Sequence, residues 1–372
     1  MNIVIPTADY PPIEGGISTV TVHLSRELAR LGHTVTVIAP FFPGQESFDK
    51  NEPVAVLRYG GYAWGWLRFI PLALRSWKHV KSADLVMGIN VAYGGLLGML
   101  ARKRYVAFAY AYEFLKFQSW SPAGRLLRRV YTNAASVAAI SGFTRDKLAE
   151  YGIDEKRIHV IHPGAEIPPA PNTGKIAALR ARYLLEGKRV ILAVGRLVPR
   201  KGHLTLIEAL ARVLPRIADA HLVMVGQGPL MSACCRLAHK LAIREHVTFA
   251  GRLDDGDVAA LYALCDVFAL PTGTDARGQV EGFGLVFTEA HAHGKPVIAG
   301  RSGGVVDAVI DGETGLLVEP GDADALADAL TRILTDADLA QRLGENGRQR
   351  VERELNWATF TRRILESVGS GA

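Results

Sequence analysis

Short apolar runs alternate with amphipathic helical patterns along almost the whole chain. The runs are rich in Val, Ile, Leu and Ala and are bounded by polar, Gly or Pro residues, as is typical of buried strands. They predict strands near residues 2–6, 34–39, 54–58, 84–89, 104–109, 136–140 and 158–161, and then near 190–194, 221–225, 247–250, 267–270, 297–299 and 315–318. Strands that alternate with helices predict doubly wound parallel sheets of the α/β class, which bind ligands at the carboxyl ends of their strands.

A proline-rich segment, residues 162–171, separates two such series. Proline fixes φ and excludes helix, so this segment is predicted to be a stiff linker. The 372 residues are 49% apolar, which is enough for two domains with separate cores. Met1 leads directly into a predicted strand, so no signal peptide is predicted. No stretch approaches the roughly 20 apolar residues that a membrane-spanning helix needs.

A glycine-rich turn precedes a helix that is predicted to begin at Leu285. Gly282, Phe283 and Gly284 would place unpaired backbone N–H groups at the N-terminus of that helix. Such a terminus attracts anions, because the peptide dipoles and the unpaired donors point outward together. Gly282, Phe283, Gly284 and Leu285 are therefore predicted to bind a phosphate group.

Two carboxylates, Glu281 and Glu289, flank the same turn. Carboxylates repel phosphate but accept hydrogen bonds from hydroxyl groups, which indicates a ligand with both phosphate and sugar. The alternative is that both are solvated surface charges.

A second loop, between Gly195 and Gly202, carries Arg196, Arg200 and Lys201 directly after a predicted strand. Three cations at the end of a parallel strand favour an anionic ligand, and Arg196 and Lys201 could hold a diphosphate from two sides.

These motifs together resemble the retaining glycosyltransferases of family 4, which have the GT-B fold: two Rossmann-like domains that face a central cleft. The resemblance rests on Glu281-x7-Glu289 with its internal Gly-Phe-Gly, residues 195–202, Gly15-Gly16-Ile17 and Ser302-Gly303-Gly304, and extends over nearly the whole chain. Within the family, the chain is most similar to bacterial mannosyltransferases acting on lipid-linked acceptors, such as the phosphatidylinositol-mannoside enzymes.

The resemblance implies that one domain binds the acceptor and the other binds the nucleotide-sugar. Residues 1–166 with 355–372 would form the acceptor-binding domain, because the terminal helix of the family crosses back, and 167–354 would bind the nucleotide-sugar. Gly15 and Gly16 would face the diphosphate from the N-terminal domain.

The resemblance also implies residue roles and a mechanism. Glu281 would bind sugar hydroxyls and Glu289 the ribose diol, while Arg196, Lys201 and backbone N–H groups would stabilise the leaving diphosphate. The expected reaction is hexosyl transfer with retention, by attack on the same face.

One strand end departs from the family pattern. Many relatives have a histidine that contacts the donor sugar after the strand that ends here at Ala109, where this chain has Tyr110, Ala111, Tyr112 and Glu113. Tyr110 or Tyr112 could donate a hydrogen bond in its place, and Glu113 could contact sugar or acceptor hydroxyls. The alternative for the tyrosines is packing at the strand end.

No metal or other cofactor is expected. Asp255-Gly256-Asp257 resembles a metal-binding DxD motif but precedes a helix predicted from Val258, so capping explains it better. The three cysteines contain no CxxC motif, so a reducing cytoplasm is expected. His291 and His293 flank a helix end and are predicted to be packing or C-terminal dipole partners, not catalytic residues.

The positive charge is concentrated in the first part of the chain. Residues 1–170 contain 19 Lys and Arg against 13 Asp and Glu, a net charge of +6, which is the whole excess of the protein. Within residues 58–129, basic and aromatic side chains are interleaved, a pattern suited to an anionic membrane surface. The alternative is an ordinary basic surface over core aromatics. Nucleic acid is not expected, because no recognised binding module is present.

The sequence therefore predicts a retaining hexosyltransferase that acts on a lipid-linked or glycan acceptor, with GDP-mannose as the first choice of donor and a UDP-hexose as the alternative. The expected location is the cytoplasm, on the inner face of the cytoplasmic membrane. The same motifs are also compatible with a nucleotide-sugar epimerase or with an inactive nucleotide-sugar-binding protein.

Overall fold

The computed structural model describes residues 1–61, 63, 67, 69–110 and 121–369. The chain forms two compact units. Unit 1 comprises Met1–Pro163 and the C-terminal segment from Trp357, and unit 2 comprises Gly164–Asn356. The proline-rich segment 162–171 contains neither helix nor strand.

All the predicted strands are present in the described part of the chain. They are β1 (Asn2–Pro6), β2 (Thr34–Pro40), β3 (Ala55–Tyr59), β4 (Leu85–Gly88), β5 (Tyr105–Ala109), β6 (Ser136–Ala139), β7 (Ile158–Val160), β8 (Arg189–Val194), β9 (Ala220–Val225), β10 (Val247–Gly251), β11 (Val267–Leu270), β12 (Val297–Gly300) and β13 (Gly315–Val318).

The α-helices of the described residues mostly follow strands, as the alternating pattern predicts. They are α1 (Gly16–Arg30), α2 (Glu46–Asn51), α3 (Phe69–Ser82), α4 (Leu96–Leu100), α5 (Pro122–Thr132), α6 (Gly142–Glu150), α7 (Thr173–Arg182), α8 (His203–Val213), α9 (Met231–Lys240), α10 (Asp255–Leu264), α11 (Leu285–Ala292), α12 (Val305–Ala308), α13 (Ala323–Thr335), α14 (Ala337–Arg353) and α15 (Trp357–Gly369).

Each unit contains one parallel sheet that is wound in both directions from its first strand. The order is β3-β2-β1-β4-β5-β6-β7 in unit 1 and β10-β9-β8-β11-β12-β13 in unit 2. The winding direction reverses between β1 and β4 and between β8 and β11. Ligands of such sheets bind beyond the carboxyl ends of the strands at this switch point, so each unit has one favoured binding position.

The central strands are buried on both faces, which explains their continuous apolar sequences. Every residue of β5 and β9 is buried. Parallel strands of this kind place their carboxyl ends at a common edge, where the loops carry the polar residues.

The C-terminal helix α15 belongs to unit 1. It packs against α1, where the His23 and Trp357 rings stack with centroids 4.6 Å apart. The Phe360 ring lies against the ring of Phe108 in β5, with the two centroids 6.3 Å apart. No helix of the described residues has the length and apolar character that crossing a membrane requires.

Candidate active site

Two loops of unit 2 meet at its switch point: residues 195–202 follow β8, and residues 271–284 follow β11. The Gly273 N–H donates a 2.8 Å hydrogen bond to the Arg200 carbonyl. Gly202 has a φ of +71°, and a Cβ there would lie 2.1 Å from the Pro271 carbonyl oxygen. Only glycine therefore allows this close contact between the two loops.

Lys201 and Glu281 form an ion pair across this contact. Lys201 Nζ lies 2.7 Å from Glu281 Oε2, and the two side chains are only 9% and 16% exposed. Burial raises the pKa of the Glu281 carboxyl, but the Lys201 charge and hydrogen bond and the Arg200 charge outweigh it, so the pKa is lowered overall. The carboxylate is therefore charged at neutral pH and oriented by Lys201.

The glycine turn lies where the sequence predicts, immediately before α11. Gly284 has a φ of +94°, and a Cβ there would lie 2.5 Å from the ring of Phe287. Phe283 and Phe287 are buried beneath the turn. Helix α11 begins at Leu285, so its first unpaired N–H groups lie at this turn. The two buried phenylalanines anchor the turn and so orient these groups.

The loop that follows β12, residues 301–304, contacts the backbone of Glu281. The Gly304 N–H donates to the Glu281 carbonyl at 2.9 Å, and a Cβ on Gly303 would lie 2.4 Å from that carbonyl oxygen. The Ser302 hydroxyl donates to the Thr272 carbonyl at 3.0 Å. The Ser-Gly-Gly motif therefore holds the segment that carries Glu281.

Glu289 lies within α11 and is held by Tyr262, a residue that no sequence motif selects. The Tyr262 hydroxyl donates to Glu289 Oε2 at 2.9 Å. Burial, followed by the charge of Glu289, raises the pKa of this phenol, so Tyr262 remains a donor. The His293 ring stacks on Tyr262 with centroids 5.3 Å apart.

Of the two roles predicted for His291 and His293, the structure shows packing. His291 is fully buried, and its Nε2 lies 2.9 Å from the Thr314 carbonyl oxygen. Burial lowers the pKa of each of the two imidazoles to about 4, so both are neutral at pH 7.

Arg196 is exposed and forms no ion pair with the described residues. Arg196 lies in the same loop as Lys201. Because its side chain is exposed and unpaired among the described residues, its guanidinium is available to a ligand. The structure thus brings Lys201, Glu281 and the glycine turn together at the switch point of unit 2.

The predicted residues of unit 1 that the structure describes lie at the start of α1 and at the end of β5. Gly15 and Gly16 are exposed at the N-terminus of α1, and Gly15 has a φ of +153°. Tyr110 directly follows β5 and is half-buried. Tyr112 and Glu113 lie outside the described residues.

The Asp-Gly-Asp segment forms the first turn of a helix and does not cap it, so both the capping role and the helix start predicted for it were wrong. Helix α10 begins at Asp255, because Asp254 is the cap and its carboxylate accepts the Asp257 N–H at 2.8 Å. Lys175 pairs with Asp257 at 2.9 Å. Within the described ranges, no group of three or more His, Cys, Asp or Glu residues is placed to hold a metal ion.

Comparison with known proteins supports a single enzyme class. Residues 14–167 match the model of Glycosyltransferase Family 4, and residues 176–350 match that of Glycosyl transferases group 1. The chain is 33% identical over 98% of its length to the GDP-mannose-dependent alpha-(1-6)-phosphatidylinositol monomannoside mannosyltransferase of Mycobacterium tuberculosis, of which it covers 97%. It is 34% identical to the enzyme of the same name from Mycolicibacterium smegmatis, with the same coverage of both chains.

A solved structure shows the same architecture. Anabaena HepE, crystallised with UDP and glucose, superposes with a TM-score of 0.82 over 100% of both chains at 22% identity. The fold and these matches define a glycosyltransferase. The chain belongs to glycosyltransferase family 4 and has the GT-B fold.

Proposed function

We propose that this enzyme transfers mannose from GDP-mannose, with retention, to a lipid-linked glycan acceptor of the cell envelope. The Lys201–Glu281 pair beside the glycine turn carries the proposal, because it places a cation, a carboxylate and helix N–H groups at one switch point. The choice of donor rests on the relatives, whose names specify GDP-mannose and a phosphatidylinositol mannoside.

The proposed mechanism follows from the charges of the site. Cleavage of the anomeric C–O bond builds negative charge on the leaving diphosphate, which Lys201, Arg196 and the N–H groups at Gly284 and Leu285 would stabilise. We also propose that Gly15 and Gly16 approach the diphosphate with their backbone. These groups would supply the stabilisation, so no divalent metal is required.

The carboxylates would hold the sugar groups of the donor. Glu281, fixed by Lys201, would accept hydrogen bonds from hydroxyls of the transferred sugar. Glu289, fixed by the Tyr262 hydroxyl, would accept from the ribose diol. Tyr110, at the end of β5, would take the position of the family histidine.

A ligand panel tests the donor. Melting temperatures are measured with GDP, UDP, GDP-mannose, UDP-glucose and UDP-N-acetylglucosamine, each with and without EDTA. A ligand at 100 times its dissociation constant stabilises the folded state by about 2.7 kcal/mol, which is a visible shift. We expect shifts with the two guanine ligands only, unchanged by EDTA. A shift with the uracil ligands alone would indicate a UDP-hexose donor, and no shift with any ligand would contradict the proposal.

We further propose that unit 1 docks on an anionic membrane surface through helix α3. Ile70, Leu74 and Trp77 form one stripe along this helix and are 49%, 78% and 41% exposed, while the opposite stripe is buried. Exposed cations lie along one side of this stripe, Arg75 and Lys78, and at its C-terminal end, Lys81. An exposed apolar stripe next to cations is typical of helices that lie in a membrane interface.

Only part of the basic and aromatic region 58–129 contributes to this surface. Arg58 is 8% exposed and pairs with Asp49, and Arg104 donates to the Val368 carbonyl, so both are used within unit 1. Other members of the region lie outside the described residues: Tyr62, Trp64, Trp66, Arg68, Phe114, Lys116, Phe117 and Trp120.

Replacing Leu74 with Glu is expected to weaken binding to vesicles that contain phosphatidylinositol by at least about tenfold. Burial of a leucine is worth about 1.5–3 kcal/mol, and a carboxylate would add repulsion from the anionic lipids. Co-sedimentation with vesicles measures the effect. Leu184→Glu is the matched control, because Leu184 is 79% exposed and lies in unit 2. Equal binding by the two variants would contradict docking through α3.

A further inference from the structure

We infer that Asp9, oriented by Asn90, binds a hydroxyl group of the sugar acceptor at the switch point of unit 1. Asp9 follows β1, and Asn90 follows β4, the two strands between which the winding of this sheet reverses. The inference rests on the proposed function and adds a binding residue for the acceptor.

Asn90 is locked in one orientation. Its side-chain oxygen accepts the Ala8 N–H at 2.7 Å and the Thr7 hydroxyl at 2.9 Å. Because a backbone N–H can only donate, the amide nitrogen must point the other way, toward Asp9. Thr7 is fully buried, so this anchor is shielded from water.

The amide of Asn90 in turn fixes Asp9. Asn90 Nδ2 donates to Asp9 Oδ2 at 2.8 Å, and the Asp9 N–H donates to the Thr7 hydroxyl oxygen at 3.0 Å. A carboxylate held by both its backbone and its side chain loses little freedom when a ligand binds. Asn90 is therefore a positioning residue for Asp9.

One oxygen of Asp9 remains available. Asp9 Oδ1 accepts no hydrogen bond and faces no cation among the residues that the structure describes. The side chain is half-buried, so a ligand can reach it. A carboxylate with no basic partner repels phosphate but accepts strongly from hydroxyls, so a sugar or another polyol suits this position.

The acceptor fits this position better than the donor. The cations, the helix N–H groups and the two glutamates proposed for the donor all belong to unit 2. The switch point of unit 1 provides a second position, and its carboxylate and amide match the hydroxyls of a sugar or cyclitol headgroup.

The test compares Asp9→Asn and Asn90→Ala with the unmodified enzyme. Steady-state kinetics with a short-chain phosphatidylinositol monomannoside as the acceptor probe give the KM of each substrate, and calorimetry gives the Kd of the donor. We expect the acceptor kcat/KM to fall about 10–100-fold in both variants, mainly through KM, because a buried polar contact is lost. The donor Kd should remain within about twofold, because the lysine, the glutamates and the glycine turn proposed for the donor are in unit 2, whereas Asp9 and Asn90 are in unit 1.

Asp84→Asn is the matched control. Asp84 accepts the Asn2 N–H at 2.7 Å, so it joins the same two strands at their amino ends, away from the switch point. We expect its acceptor KM to be unchanged. A rise in acceptor KM equal to that of Asp9→Asn would indicate a structural effect and overturn the inference.

Two further outcomes separate this inference from the proposed function. Normal turnover with an unchanged acceptor KM in Asp9→Asn would overturn the role of Asp9 alone. No transfer to the probe by the unmodified enzyme would overturn the proposed acceptor class, and the inference with it.

Discussion

Replacing Lys201 with Ala is expected to lower kcat for mannosyl transfer by about 10²–10³-fold. Loss of one preorganised donor to a developing anion typically costs ~3–4 kcal/mol of barrier. Lys201 is preorganised, because it is 9% exposed and already held by Glu281 at 2.7 Å. Arg196→Ala should cause a loss of the same order. Initial rates at saturating GDP-mannose and acceptor measure both effects.

Two comparisons separate a loss of catalysis from a loss of folded protein. Arg196 forms no ion pair among the described residues, so Arg196→Ala removes a ligand contact without leaving a buried charge unpaired. Lys175→Ala removes another lysine that pairs with a carboxylate, at 2.9 Å from Asp257, but Lys175 lies on α7. It should retain full activity. Rates within about threefold of the parent for both Lys201→Ala and Arg196→Ala would place the donor elsewhere.

The fold was predictable from the sequence because its signal is local. Parallel strands buried on both faces appear as short apolar runs, and β5 and β9 are wholly buried. Right-handed crossovers then leave few possible topologies. The start of α10 was predicted three residues late, because Asp254, Asp255 and Asp257 all favour a helix start and the pattern does not choose between them.

The site was predictable only in part, because several of its contacts join distant residues. Glycines and charges identified Lys201, Glu281 and the turn at Gly284. Their pairing, however, depends on β8 and β11 being neighbours, which a one-dimensional pattern does not specify. Tyr262 lies in an apolar helix and carries no chemical signal of its own. Its hydrogen bond to Glu289 appears only when α10 and α11 are packed.

The Asn90 amide illustrates the same limit. A lone Asn after a strand is common, and its contact to Asp9 spans 81 positions of the chain. Likewise, the interleaved basic and aromatic residues of region 58–129 are suited to a membrane surface, but only the structure shows that Ile70, Leu74 and Trp77 form an exposed stripe on α3. Sequence periodicity gives the spacing of a face, and packing decides which face is covered.

Removing one partner of the Lys201–Glu281 pair is expected to destabilise the protein by about 3 kcal/mol, because it leaves the other charge buried and uncompensated. Replacing both partners with apolar residues of similar size should cost much less. Urea unfolding of Lys201→Met, Glu281→Leu and the double variant measures the three changes in free energy. Additive losses in the double variant would show that the two charges do not interact appreciably.

The pair also predicts a pH dependence. The Glu281 carboxyl has a lowered pKa in the folded protein, mainly because the Lys201 charge and hydrogen bond overcome the effect of burial. Its contribution to stability is therefore complete above the ordinary carboxyl pKa and is lost as the pH falls through the lowered folded value. The double variant lacks this contribution at every pH. The stability difference between the parent and the double variant should thus be constant near neutral pH and shift against the parent in acid. A difference that does not change on acidification would mean that the folded and unfolded chains titrate Glu281 alike, and that Lys201 does not hold its charge.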